Sequence, residues 1–261
     1  MTVITLLDAA HAAVSANPED ETARLRFYER LADGELFLLL EREPEAEVLD
    51  PRVFDLEGGP VVLVFDREER LAEFSGGIAP YAALPGRVVA AMLKGQGIGL
   101  GVNLGVAPSE MLLPPEALDW LADALEGGPE EAEAMPRRFL PPSVPQAVLA
   151  GLDAKLARAG GLAAAAVLCG VVYGDGRQGH VLAFLNAAEG AEGPLARAVR
   201  EALVFSGVEA GELDVAFLAA DDPAAEAMAR AGLRFDLVLP EAEEAKPAAP
   251  GLDPAKPPRL R

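Results

Sequence analysis

The chain is poor in the side chains that most site chemistry needs. Its 261 residues include one cysteine and two histidines. A single cysteine excludes an intrachain disulfide framework. Two histidines and one cysteine leave a structural zinc site without its usual ligands. No metal or cofactor is therefore expected. Basic residues are scarce: 22 Lys and Arg stand against 42 Asp and Glu, a net charge of -20. Phosphate contacts need clustered Lys and Arg, so this balance argues against a nucleic-acid binder and against anionic membrane surfaces. Long apolar runs are also missing. The longest, Gly160 to Tyr173, falls short of the ~20 residues that span a bilayer. No Lys or Arg precedes Arg24, so the basic start of a signal peptide is absent. The expected location is the cytoplasm.

What is present points to a folded protein. Hydrophobic residues make up 51% of the sequence, enough for sizeable cores without staples. Helix and strand patterns alternate irregularly, which predicts an α+β fold. Two α/β-sandwich-like domains are expected, each with a mixed sheet covered by helices. The boundaries read as follows: 1–128 for the first domain, 129–144 for a linker, 145–240 for the second domain, and 241–261 for a disordered tail. The linker reading rests on seven Gly or Pro among residues 127–145, a composition that suits exposed chain. Within the first domain, Asn17-Pro18 reads as a helix start. Glu35–Glu41 and Pro60–Phe65 read as buried strands. Asp66-Arg67-Glu68-Glu69 has the spacing of a capping box.

The charge is unevenly shared. Residues 1–128 carry 23 acids and nine bases, a net of -14, while the tail carries four of each. The bland reading is a solvated surface. The sharper one is an acidic face for a partner protein with a basic surface.

Motifs for chemistry mostly fail on inspection. Gly95, Gly97, Gly99 and Gly101 alternate strictly, so no G-x-G-x-x-G forms, and the G-K-[ST] of a Walker loop is absent. Period-2 spacing predicts one strand with four glycines on a bare face, open to close approach by other backbone. Asn103 would share that face. Asn103, Gly97, Gly99, Gly101 and Tyr81 are therefore the candidate groove residues. No G-x-S-x-G occurs. Cys169 lies in an apolar run and reads as core. His11 and His180 each stand alone, and acid pairs such as Glu68-Glu69 read as helix caps. No catalytic residue is assigned. Asp66, at the C-terminal end of a buried strand, stands where α/β sites often lie.

Several stretches resemble the bacterial SseB family. They are Ala23–Glu41, Gly59–Phe74, Leu84–Pro108 and Leu112–Leu125, with a further segment from Val144 to about Pro240 that includes Leu213–Pro223. The resemblance implies a two-domain protein and carries no catalytic residues over. The leading expectation is a non-enzymatic protein-binding or regulatory module. The alternative is a small-molecule-binding protein or enzyme with a pocket between the domains. A type III secretion-associated role is a third reading, resting on the family name alone. The oligomeric state stays open.

Overall fold

The computed structural model describes residues 4–43, 49–126, 135–207 and 213–237. The expected tail, 241–261, lies outside them. The chain forms two compact units. One comprises Met1–Glu133, Ser143–Lys155 and Ala196–Gly211; the other comprises Ala134–Pro142, Leu156–Leu195 and Glu212–Arg261.

The first unit opens with helix α1 (Leu6–Ala16) and helix α2 (Glu21–Asp33). A capping box starts α1: the Thr5 hydroxyl accepts from the Asp8 amide, and the Asp8 carboxylate accepts from the Thr5 amide. Asp20 caps α2, and Asn17 instead closes α1. The expected Asn17-Pro18 start is thus three residues early, because Asp20 reaches the Ala23 amide directly. Strands β1 (Glu35–Leu39), β2 (Val53–Leu56) and β3 (Gly59–Phe65) follow, then α3 (Glu68–Ser75), β4 (Tyr81–Pro85), α4 (Gly86–Leu93), β5 (Gly99–Val102), β6 (Met111–Leu113) and α5 (Pro115–Glu126). They build one sheet in the order β4-β1-β3-β5-β6, with β2 pairing β3. β3 and β5 run parallel and the other pairs antiparallel. The sheet is therefore mixed, as expected.

One face of the sheet carries the main core. Leu36, Leu38, Val62, Val64, Leu100 and Val102 bury there against α1, α2, α4 and α5. Gly86 brings α4 onto α2: a Cβ there would lie 1.8 Å from the Leu31 carbonyl oxygen. The opposite face holds a smaller cluster of Leu39, Val61, Leu63, Phe65 and Leu71, with Phe37, Phe54, Leu104 and Tyr81 packed at its margin. The short helix α3 supplies Leu71 and covers this face in part. Two stretches distant in sequence complete the unit: most of α6 (Gln146–Leu156) and the C-terminal part of α7 (Glu192–Val204). Gly151 and Ala202 let these helices approach, a Cβ at Gly151 falling 3.1 Å from the Ala202 carbonyl oxygen. Phe205 joins the main core.

The second unit holds strands β7 (Pro136–Leu140), β8 (Ala165–Tyr173), β9 (Gln178–Leu185), β10 (Leu213–Leu218) and β11 (Leu233–Asp236), with helix α8 (Pro223–Ala231). The strand order is β10-β9-β8-β11, and β7 also pairs β8. β9 and β10 are parallel and the rest antiparallel, so this sheet is mixed too. Asp222 caps α8 with Pro223 at its first turn, as its sequence implies. Residues 136–140, which proline content assigns to a linker, form β7 instead. Pro136 opens that strand and Pro141-Pro142 follow it, so no proline removes a donor from the middle of the ladder.

Candidate functional site

The parallel pair β3 and β5 ends at Phe65 and Val102, and the next residues along, Asp66 and Asn103, belong to a buried polar cluster. Asn103 leaves the strand in the left-handed region, at φ 49°, a conformation that asparagine tolerates better than most side chains. Its amide still donates to the Val64 carbonyl, at 2.9 Å. The turn swings the side chain inward, where it is fully buried. Its Oδ1 accepts from the Asp66 amide at 3.1 Å, and its Nδ2 donates to Ser109 Oγ at 2.9 Å. Ser109 in turn donates to Asp8 Oδ1, at 2.5 Å.

Asp8 and Arg70 form the centre. The guanidinium grips the carboxylate bidentately, Nη1 to Oδ1 at 3.0 Å and Nη2 to Oδ2 at 2.5 Å. Arg70 Nη1 also donates to Asp66 Oδ1, at 2.7 Å. The Thr5 hydroxyl donates to Asp66 Oδ2 at 2.6 Å and accepts from the Asp8 amide. The circuit thus closes on itself through Thr5, Asp8, Ser109, Asn103, Asp66 and Arg70. Burial opposes ionisation of Asp8; hydrogen bonds from Arg70, Ser109 and the Thr5 amide overcome it and hold the pKa at about 2. Burial likewise opposes the Arg70 charge, and Asp8 and Asp66 outweigh it. Both groups are fixed in their ionised forms at neutral pH. Such a circuit pins α1 and α3 to the strand ends.

The expected capping box at Asp66 does not form. α3 begins at Glu68 behind Arg67, with no side-chain cap bond. Asp66 has been drawn into the circuit by Thr5 and Arg70 instead.

A second buried cluster joins the separate stretches of the first unit. Lys155 of α6 donates to Asp33 of α2 at 2.7 Å and to Glu201 of α7 at 2.8 Å. Arg87 of α4 bridges the same two carboxylates, at 2.7 Å to Asp33 and 3.0 Å to Glu201. Glu29 is 1% exposed; one oxygen accepts from Arg26 at 2.7 Å and the other lies 3.9 Å from Lys155 Nζ. Three carboxylates are thereby matched by three cations. Burial would raise the Asp33 pKa, and Lys155 and Arg87 hold it below the ordinary value.

The sequence candidates are scattered rather than gathered. Gly97 is not in a strand: it and Gly95 lie in a turn at positive φ. Only Gly99 and Gly101 belong to β5, so the strand of four alternating glycines is shorter than expected. A Cβ at Gly99 would meet the Leu113 carbonyl oxygen at 2.8 Å, and one at Gly101 would meet Leu63 Cδ2 at 2.6 Å and Leu104 Cδ1 at 2.7 Å. The bare face is thus filled by close packing. Asn103 does not share it, because the left-handed turn rotates it away. Tyr81 lies in β4 beside Phe37, ring centroids 5.4 Å apart. Cys169 is fully buried, with Sγ 3.3 Å from the Met228 carbonyl oxygen, and burial pushes its pKa up to about 11. His11 packs edge-on to Phe27 with Nδ1 3.5 Å from Ser15 Oγ. His180 sits in β9 opposite Leu213 and Gly170, in the other unit.

Sequence reading missed Asp8, Arg70, Ser109, Lys155 and Glu201. The Thr5-to-Asp8 spacing of a capping box and the four-residue step from Asp66 to Arg70 are visible in the sequence. The pairing of Asp8 with Arg70 and of Lys155 with Asp33 is not, since 62 and 122 residues separate the partners. Among the described residues, no group of three His, Cys, Asp or Glu is placed to hold a metal, and no helix is long and apolar enough to cross a membrane.

Residues 7–120 match the family model described as the SseB protein N-terminal domain. The match does not reach residues 144–240. No curated protein and no solved structure matches the chain.

Proposed function

We propose that this chain, whose residues 7–120 match the SseB protein N-terminal domain, is a non-enzymatic, cytoplasmic binding module of that family whose acidic first unit engages the basic surface of a partner protein. The closed circuit at the ends of β3 and β5 carries this reading. In many α/β proteins that position holds the reacting groups. Here Asp8, Arg70, Asp66, Asn103 and Ser109 bond one another, and the pairing holds Asp8 and Arg70 in their ionised forms. Arginine and carboxylate in such a circuit serve as a structural pin. The surplus of acid over base in residues 1–128 supplies the attraction for a basic partner.

Affinity capture from the source cell at low salt, followed by titration of each purified candidate, tests the proposal. A true partner is expected to carry a basic surface and to lose affinity as salt rises. A captured partner whose affinity is insensitive to salt counts against the charge reading. Turnover of a small metabolite by the purified protein, abolished in Ser109→Ala, would overturn the non-enzymatic reading.

A further inference from the structure

The outer edge of β4 and the uncovered part of its sheet face form a strip with one chemical character. β4 ends the strand order of its sheet. Leu40 donates to the Pro80 carbonyl at 3.0 Å, and Gly86 donates to the Gly34 carbonyl at 2.8 Å. Antiparallel bonding repeats every second residue, so Ala82 and Leu84 also bond toward β1. Tyr81 and Ala83 therefore direct their amide and carbonyl groups away from the sheet. Among the described residues no strand pairs with this short edge, which Pro80 and Pro85 bracket. The side chains alternate as well. Ala82 and Leu84 pack against the main core, whereas Tyr81 joins the cluster under α3. Tyr81, Ala83 and Pro85 share the second face with Phe37 and Glu35. Ala83, Pro85 and Glu35 are exposed, and the Phe37 and Tyr81 rings are half-buried. α3 reaches only part of this face.

The rim is acidic. Glu68, Glu35 and Glu43 lie close enough to Tyr81 for their carboxylates to act on its hydroxyl. Together they raise the tyrosine pKa. Nearby cations are already engaged: Arg67 with Glu69 at 3.0 Å, Arg42 with Asp50 at 3.1 Å and Arg52 with Glu41 at 3.5 Å. Aromatic faces beside uncompensated carboxylates favour a cationic side chain. A free strand edge favours an extended backbone.

We propose that this strip docks an extended segment of the partner protein in which basic and apolar residues alternate. The segment adds as a strand outside β4. Its basic side chains lie over Phe37 and Tyr81 among Glu35, Glu43 and Glu68, and its apolar ones continue the Ala82–Leu84 side. This rests on the binding-module reading above and names its surface.

The test uses the full chain and a short fluorescent peptide of alternating Arg and Val, with an Arg–Pro peptide of equal charge as comparison. Binding is read by fluorescence polarisation, and folding by melting temperature. The Arg–Val peptide is expected to bind at least about tenfold more tightly, because proline cannot complete the ladder. Ala83→Pro removes an outward amide that the sheet does not use, and is expected to abolish that preference. Tyr81→Leu keeps an apolar strand residue, removes the ring, and is expected to weaken binding about threefold. Losing Glu35 and Glu68 together (E35Q/E68Q) is expected to weaken it about fivefold. The equal charge change E21Q/E116Q, on helices elsewhere in the unit, is expected to leave it within about twofold. Equal affinity for the two peptides, or equal losses in the two charge pairs, would overturn the strip. The binding-module reading would survive that result if a captured basic partner still binds with salt-sensitive affinity, and would fall with it if none does.

Discussion

Asp8 shows how one side chain in a buried circuit sets a pH dependence. Its folded pKa of about 2 lies below the ordinary 3.8. A depressed carboxyl contributes stability above its unfolded pKa and loses it as pH falls through the folded value. The Asp8 contribution is therefore complete above about pH 4 and gone near pH 2, and amounts to about 2 kcal/mol. Asp8→Asn is expected to unfold at lower urea concentration than the parent at pH 7, with the gap closing toward pH 2. A gap that stays constant across that range would show that the carboxylate charge plays no part. Only fragments of this site are legible in the sequence. The Thr5–Asp8 cap and the Asp66–Arg70 step are local patterns, but nothing local announces that one guanidinium joins both. Asn103 was legible as the polar residue to inspect, though its left-handed turn was not, because backbone handedness leaves no trace in an alternation pattern.

At the level of elements, the two glycines of β5 separate two kinds of close packing. Gly99 faces a carbonyl oxygen of β6, which the ladder holds in place; Gly101 faces leucine methyls, which can rotate. Gly99→Ala is expected to destabilise by about 3 kcal/mol and Gly101→Ala by about 1 kcal/mol, measured by chemical denaturation. The reverse order would contradict the packing described. The helices are joined by charge as well as by apolar contact. Lys155→Met leaves Glu29, Asp33 and Glu201 with too few cations in a buried setting, and is expected to cost about 4 kcal/mol. A smaller loss after pairing it with Glu201→Leu would confirm that stranded carboxylates cause the damage. β1 and β3 were legible because their apolar runs are unbroken, although on β1 only Leu36, Leu38 and Leu39 are buried while Glu35 is exposed and Phe37 half-buried. β2, β4 and β7 were not, since each is short, partly exposed and bracketed by proline or glycine, the same signals that mark loops.

For the whole chain, the contact division departs from a reading of successive domains. Sequence composition breaks at residues 127–145, yet Ser143–Lys155 and Ala196–Gly211 belong with the first unit. Composition reports local exposure and cannot report which later helix returns to an earlier core. Trp120, the only tryptophan, packs between Tyr28, tilted at 5.3 Å, and Phe205, edge-on at 6.3 Å. A fragment of residues 1–128 lacks Phe205, Lys155 and Glu201. It is expected to melt below the full chain and to show red-shifted tryptophan emission. A fragment matching the full chain in both would show that the returning helices are dispensable. The family match, ending at residue 120, covers none of these helices.

That discontinuity has a consequence for biosynthesis. The ribosome makes α2 and α4 long before the cation of Lys155 and the carboxylate of Glu201. At ~5–20 residues per second, Glu29 and Asp33 wait several seconds or more for their last partners. The nascent first unit is therefore an acidic, incompletely covered intermediate until residue 211 has left the exit tunnel. During that interval the apolar surface that Phe205 later covers stays open to water.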